Sequence, residues 1–582
     1  MRGWAAGRSR ARGRDPRPVS HRAAARTLAV CLVAAAAVAA ALAAARPPAA
    51  PDSVRHGSTR VRDLPRPRVR RVTVQPSALE SRPIGRVEIQ PGNVYEPGSG
   101  RGISALHRLA NRLHTRTRPA TVRNELLFAP GGSWSERTAL ETARNLRALD
   151  YLVPQRIEAR PLGDSVAVTV ETRDLWTTSP DINIESVGGT RSGAWGFTER
   201  NLLGLGKSIA VLYRQGSTGV SRSLTYDDPN LGGGHVRLRA ALGKSSDGAS
   251  RGLSVGRPFY AEETPRSWSV SGDAVTSVAR LYQNGSEVAD FDQRLQALSL
   301  AHGWRLPFDS TITRLTLSFE MLDRRWGASR LAPGAPPEFA GGEEEDRRRM
   351  LAAEVRFWNP RFVEAQDVDR MDRVEDFDLG TSLRLKAGFA PRFLGSTGGE
   401  AYGRARIDVG ALGRPGFGWV RASVESRLRP APRDLISQLD GRWYFVSGGH
   451  TVALAAAGRA GGHASRSFQI LAGGLNGLRA FPAQAVAGRR LWRFNAEDRW
   501  LLTPERWQLL RVATAVFYDA ARAWGPGAEG SGWFHDAGVG LRLGFPRGGL
   551  AQVVRVDVTW PIEPTIGRRR EPVFSFGSSQ AF

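Results

Sequence analysis

Residues 314–321, "RLTLSFEM", set Leu315, Leu317, Phe319 and Met321 against Arg314, Thr316, Ser318 and Glu320. Successive side chains of an extended strand point to opposite faces, so this stretch has one apolar face and one charged face. "HVRLRAAL" does the same with Val236, Leu238, Ala240 and Leu242 against Arg237 and Arg239. So do "VRASVESRLR", with Val420, Ala422, Val424 and Leu428 on the apolar side, and "VRVDVTW", with Val554, Val556, Val558 and Trp560. From about residue 182 to the C-terminus such runs recur, and none has a convincing helical period.

A soluble sandwich also alternates. Its outer face has little need of arginine on so many strands. A transmembrane barrel accounts for the pattern better, with the apolar face toward lipid and the charged face lining a wet lumen. In a bilayer every backbone polar group needs a partner, which forces the sheet to close. Roughly 400 residues at about 25 per strand and connection give about sixteen strands. The expected fold is therefore mainly β: a transmembrane antiparallel barrel of about sixteen strands over 182–582. "GASRLAPGAPPEFAGGEEEDRRR", Pro/Gly-rich and then charged, reads as a long external loop.

Upstream, residues 83–175 change character. "PIGRVEIQ" reads as a strand, and "SALHRLANRLH" and "TVRNELLF" have helical spacing. "SWSERTALETARNLRAL" starts with a serine cap ahead of Glu136 and carries Leu140, Ala143, Leu146 and Leu149 on one face. "YLVPQRIEAR" and "DSVAVTVET" alternate as two strands joined by a turn. The order is that of a small α+β domain. Residues 46–82 are rich in Pro, Arg and Ser without hydrophobic period and read as a disordered linker. Residues 1–45 hold an arginine-rich start, an Ala/Val/Leu run from Leu28 to Ala45 and an A-x-A pattern at Ala43–Ala45, which reads as a signal peptide. A retained anchor is the competing reading, and the alanine content favours cleavage. No later run has the length and apolarity of a spanning helix.

The formal net charge is +26, which raises nucleic acid as a partner. Lysine occurs only at Lys207, Lys244 and Lys386, and the arginines are spread over strand-like runs rather than gathered in an aromatic-rich basic stripe. A genome-wide codon bias toward arginine produces such an excess without selection for a ligand, and nucleic acid is not an expected partner. Cys31 is the only cysteine, which excludes an internal disulfide and a multi-thiolate zinc site. "GLSVG" at Gly252–Gly256 lacks the helix that a nucleophile elbow needs. "GLGKSI" has Asn201 where a phosphate loop needs its first glycine. "GVGLRLG", Gly538–Gly544, sits within a strand run, where small residues mark close packing. The acidic stretch "EAQDVDRMDRVEDFD" has oxygen ligands for a divalent cation, yet reads better as a solvated loop. No enzyme, metal or cofactor is expected.

Several motifs together resemble the BamA/TamA-type outer-membrane barrel assembly superfamily (the bacterial surface antigen family), which also includes the two-partner secretion translocators. "GFTERNLLGLGKSIAVLYRQG" is similar to the family's early strand pair through Glu199–Gly206, and "YDDPNLGGGHVRLRA" to the next hairpin. "GGLNGLRAF" resembles the lumen-loop motif through Leu478, Arg479, Ala480 and Phe481. "RFNAEDRW" resembles the strand motif that follows, through Asn495, Glu497 and Arg499, and "FYDAARAW" the F-x-D-x-G strand, through Phe517 and Asp519. The C-terminal "VFSFGSSQAF" resembles a β-signal through Ser575, Gly577 and Phe582, with Gln580 where an apolar residue is usual. Residues 83–175 resemble one polypeptide-transport-associated (POTRA) domain.

The resemblance implies a cell outer-membrane location with the POTRA domain in the periplasm. It implies non-enzymatic insertion or assembly of outer-membrane proteins, by strand addition and a barrel seam near Ile182–Ser186 and Val573–Phe582. Outer-membrane lipids, client polypeptides and helper lipoproteins are the implied partners. A secretion translocator and a passive surface-antigen barrel are the alternatives. The resemblance also implies that Arg479 reaches Asp519 across the lumen, with Glu497 a second partner. Ala480 and Ala521 stand where the family usually has glycine, which would cost free energy if either backbone had positive φ.

Overall fold

The computed structural model describes residues 69–72, 77–96, 103–371 and 373–578, less short breaks at 188–189, 217–218, 309–310, 414–415, 430, 475–476, 529–531, 549–552 and 563–570. The signal peptide, residues 46–68 of the linker, Gln580 and Phe582 lie outside the described residues.

The alternating runs form one closed antiparallel sheet from Thr178–Val187 to Val573–Ser578. Among the described residues it has twenty wall strands, with the two-residue Arg330–Leu331 paired as an annex to the far end of Ser286–Leu306. The expected sixteen is an undercount because the connections are tighter than the estimate allowed. Strands 208–216 and 219–231, or 266–283 and 286–306, are separated by two residues each. Twenty is even, so an up-and-down meander closes with its first and last strands antiparallel, as found. The first strand begins at Thr178 rather than at 182.

Leu253, Leu317, Leu351, Phe389, Val516 and Val539 are exposed on the outside of the wall. Burying them in water's absence is what a bilayer supplies, so this outer surface is that of a membrane-embedded barrel. Among the described residues the wall contains no α-helix. Glu344–Arg349 of "EEEDRRR" belong to strand Glu344–Asn359 rather than to an external loop, because they pair in register with Met321–Trp326. The Pro/Gly-rich half of that stretch folds back so that Phe339 packs with Phe291 and Trp326.

At one end sits the α+β domain. Ser165–Asp174 is its central strand, parallel to Ile84–Gly92 and antiparallel to Leu152–Leu162. Helices Ser104–Leu113, Pro119–Arg123 and Glu136–Arg147 complete it. Its core is Ile84, Val122, Trp134, Leu146, Leu152, Val166, Val168 and Val170. The domain starts before residue 83, since Ser81 N donates to Trp134 O and Glu136 N to Glu80 Oε2.

The early-strand motif is the socket between domain and barrel. Asn201 donates from Nδ2 to Thr117 Oγ1 and receives Gly206 N on Oδ1, while Gly204 O accepts from Arg118 N and Thr121 Oγ1. The next hairpin adds Asn230 Nδ2 to Asn124 O.

The acidic stretch is not a solvated loop. Phe362–Gln366 and Val374–Asp378 form a hairpin, and Val69–Arg71, from the expected linker, adds a third strand. Val363 and Ala365 of this sheet and Val368 of the hairpin's connection are buried with Leu379, Phe417, Tyr444 and Ala453, so the hairpin is folded up into the domain-end mouth of the barrel. Arg147 of the domain holds Asp376 at 2.6 and 2.7 Å and Glu364 at 3.0 Å. These carboxylates are spent on arginine, and no cluster suited to a metal ion occurs among the described residues.

Candidate functional site: an arginine-centred network in the lumen

Residues 463–489 connect two neighbouring wall strands, His450–Gly462 and Arg490–Leu501, at the end away from the domain. The loop carries its own short hairpin, Ile470–Ala472 with Val486–Gly488. Gly473 has φ +140°, and a Cβ there would stand 1.7 Å from Pro482 O, so only glycine permits the turn. The turn buries Leu478, Ala480 and Phe481 with Ala521, Ala523 and Val573 inside the wall.

That packing delivers Arg479 to the lumen. Its Nε and Nη2 donate to Asp519 Oδ2 and Oδ1 at 2.7 and 3.1 Å, two parallel charge-assisted bonds. Nη1 donates to Glu497 Oε2 at 2.9 Å and lies 3.6 Å from Asp557 Oδ2. The guanidinium carbon is 3.4 Å from the centroid of the Phe517 ring, which serves as its platform. Asn495 ties the loop to the same carboxylate, donating from Nδ2 to Gly477 O at 3.0 Å and to Asp519 Oδ1 at 2.7 Å. Ala480 N donates to Asp536 Oδ2.

The network continues along the wall. Arg499 Nε and Arg542 Nη2 donate to Glu497 Oε1 at 2.9 and 3.2 Å. Arg542 Nη1 and Arg555 Nη1 donate to the two oxygens of Asp557. Every one of these side chains is buried. Four arginines therefore face Glu497, Asp519, Asp536 and Asp557 in an arrangement that fixes the loop's orientation.

The motif residues Leu478, Arg479, Ala480, Phe481, Asn495, Glu497, Arg499, Phe517 and Asp519 meet in this one place. Ala480 and Ala521 are absent from the described residues with positive φ, so alanine costs nothing in backbone strain there. Ser575 and Gly577 lie on the last strand, far from the loop's centre in sequence but close to Asp557 and Arg555 by register. Asp536, Arg542, Arg555 and Asp557 were not singled out from the sequence. Their signal is positional: Asp519 pairs with Asp536, and Gly540 with Asp557. The "GVGLRLG" glycines make room for the site. A Cβ on Gly538 would stand 2.4 Å from the Phe517 ring, and one on Gly540 2.0 Å from Asp557 Oδ1.

No protein family and no curated protein matches this chain by sequence. Solved structures similar to it include BamA from Haemophilus ducreyi lacking POTRA domains 1–3, at 13% identity and TM-score 0.39 over 85% of each chain. CdiB from Escherichia coli is similar at 12% identity and TM-score 0.41, over 85% of this chain and 76% of that one. CdiB from Acinetobacter baumannii is similar at 11% and 0.35, over 85% and 74%.

Proposed function

We propose that this chain is an outer-membrane barrel that inserts or assembles client polypeptides at its seam, without covalent chemistry. The observation that carries the reading is the closing joint. Among the described residues, Val573–Ser578 and Thr178–Val187 share two register pairs, Ser575 with Glu185 and Phe576 with Ile184. The joint on one side has six pairs and that on the other has ten. Backbone groups at hydrocarbon depth have no water to turn to, so the joint with fewest ladder bonds parts at least cost. The edge it opens is a template for a client strand.

The domain at residues 77–175 is read as one POTRA domain on the periplasmic side. Its sheet edges, Ile84–Gly92 and Leu152–Leu162, suit strand addition by a client or a helper lipoprotein. Passage of a client through the lumen, as a secretion translocator requires, fits less well. The Arg479 loop and the Phe362–Asp378 hairpin would both have to leave their buried contacts first.

The test is depletion of the chain in its native host followed by quantitative proteomics of isolated outer membranes. Loss of several unrelated barrels marks a general assembly factor, and loss of one or a few surface proteins a dedicated one. An unchanged outer membrane overturns the proposal.

A further inference from the structure

Arg305, Arg314, Arg356, Arg384 and Arg406 are direct cross-strand partners on five successive wall strands: Arg305 pairs with Arg314, Arg314 with Arg356, Arg356 with Arg384, and Arg384 with Arg406. They share the lumenal face, since Leu315, Phe357 and Leu385 alternate with them on the outside. The row lies just inside the domain-end mouth, where Arg314 Nη2 donates to the carbonyls of Ala261 and Glu262. Direct partners on one face stand about 4.5–5.5 Å apart at Cβ, and like charges so placed repel.

The neighbouring lumenal row behaves differently. There Glu354 faces Lys386, Lys386 faces Arg404, and Arg404 faces Glu425, so acid and base are mixed. The arginine row contains no acid. Its ends have carboxylates outside it: Arg305 Nη2 pairs with Glu263 at 3.0 Å, although Arg305 Nε is buried without a partner among the described residues, and Arg406 pairs with Asp408 at 3.0 and 3.1 Å, a carboxylate that Arg421 also shares. Its centre does not. Among the described residues Arg356 has one hydrogen bond, Nε to Ser382 Oγ at 3.2 Å, and its guanidinium packs 4.6 Å from the centre of the Trp358 ring. Arg384 has no hydrogen bond or ion pair among the described residues, and its Nε is buried without a partner.

We infer that the Arg356–Arg384 centre of this row is a binding site for a phosphate group. The guanidinium fork matches phosphate oxygens pairwise. A monocarboxylate has two oxygens and one charge, enough for a single fork. A phosphate has the oxygens and charge to bridge two or more neighbouring forks and to offset the repulsion along the row. The source is either a soluble phosphate or the headgroup of an anionic phospholipid, and both present the same group.

The full chain, purified in neutral detergent, is melted in inorganic phosphate and in chloride of matched ionic strength. Phosphate raises the melting midpoint above that in chloride. In an Arg356→Gln/Arg384→Gln chain that difference disappears, with at least about a tenfold loss of phosphate affinity by calorimetry. The same chain melts no lower than the parent in chloride, because removing like charges relieves repulsion; a merely structural role for the pair gives the opposite sign. Arg325→Gln, an exposed arginine outside the row, leaves the phosphate effect intact. Native mass spectrometry after doping the detergent with phosphatidylglycerol separates the sources. Adducts on the parent that vanish in the double variant identify a lipid headgroup, and a phosphate effect without adducts identifies a soluble ligand. A parent chain that melts alike in phosphate and chloride and retains no phosphatidylglycerol overturns the inference.

Discussion

Arg499 donates from Nη1 to Val368 O at 2.7 Å and from Nε to Glu497 Oε1 at 2.9 Å. Val368 belongs to the hairpin folded in from the domain end, and Glu497 holds Arg479 of the loop folded in from the far end. One side chain thus joins the two internal segments of the barrel. Arg479→Ala is expected to speed amide exchange in residues 362–378 as well as in the loop. In an Arg499→Gln chain, exchange in the hairpin should no longer respond to Arg479→Ala. A hairpin indifferent to Arg479 in the parent chain would show that the connection carries no coupling.

Removing Arg479 alone leaves Asp519 and Glu497 buried with fewer counter-charges. Breaking one partner out of such a site costs on the order of 3–5 kcal/mol. Arg479→Ala should lower the melting midpoint in detergent markedly, and Arg479→Lys should recover only part, because lysine keeps the charge but loses the paired bonds to Asp519. Replacing Arg479 and Asp519 together should cost less than the sum of the two single changes.

Gly538 faces the Phe517 ring, and Phe517 is the platform under Arg479. A methyl at Gly538 would sit 2.4 Å from the ring and 2.4 Å from Val558 O. Overpacking of this kind costs about 1–3 kcal/mol. Gly538→Ala should therefore destabilise the barrel, and Phe517→Leu in the same chain should relieve part of the loss. Additive effects would place the strain elsewhere than at the ring.

Alternation made the wall legible, because period two survives any number of strands. The count did not survive, because two-residue turns such as that between Gln283 and Ser286 leave no break in composition between alternating runs. Arg479, Asp519, Glu497 and Asn495 stood out because their motifs are local. Asp536, Arg542 and Asp557 became visible only once strand register set them beside Asp519 and Gly540. The hairpin at 362–378 was hidden for a related reason. Its third strand, Val69–Arg71, lies nearly three hundred residues away, and its acids read as solvated until Arg147, Arg499 and Arg511 are placed against it.

Glu375 lies inside that hairpin, and its Oε1 accepts the backbone N–H groups of Val368, Asp369 and Arg370. Burial, and then the charge of Asp369, push its carboxyl up to about 8 despite those donors. The folded hairpin holds this proton more tightly than the unfolded chain does. Its contribution to stability is complete below the ordinary value of 4.5 and is lost as pH rises through about 8. Amide exchange in residues 362–378, corrected for its intrinsic pH dependence, should accelerate from about pH 5 to about pH 9. Glu375→Gln should flatten that profile, and a parent profile already flat would refute the assignment.

The seam prediction needs two crosslinks. Ile184 and Phe576 are register partners across the closing joint, and Val558 and Phe574 across the joint beside it. Antiparallel partners lie about 4.5–5.5 Å apart at Cα, within disulfide reach. In a Cys31→Ser chain, Ile184→Cys with Phe576→Cys should oxidise to a barrel that folds and resists heat but no longer inserts a client barrel into proteoliposomes, and reduction should restore insertion. Val558→Cys with Phe574→Cys should oxidise without loss, because that joint has six pairs and is not the one that opens. If the seam crosslink leaves insertion at the parent rate, the closing joint does not part during insertion. If both crosslinks abolish it, wall flexing rather than the seam is what the client requires.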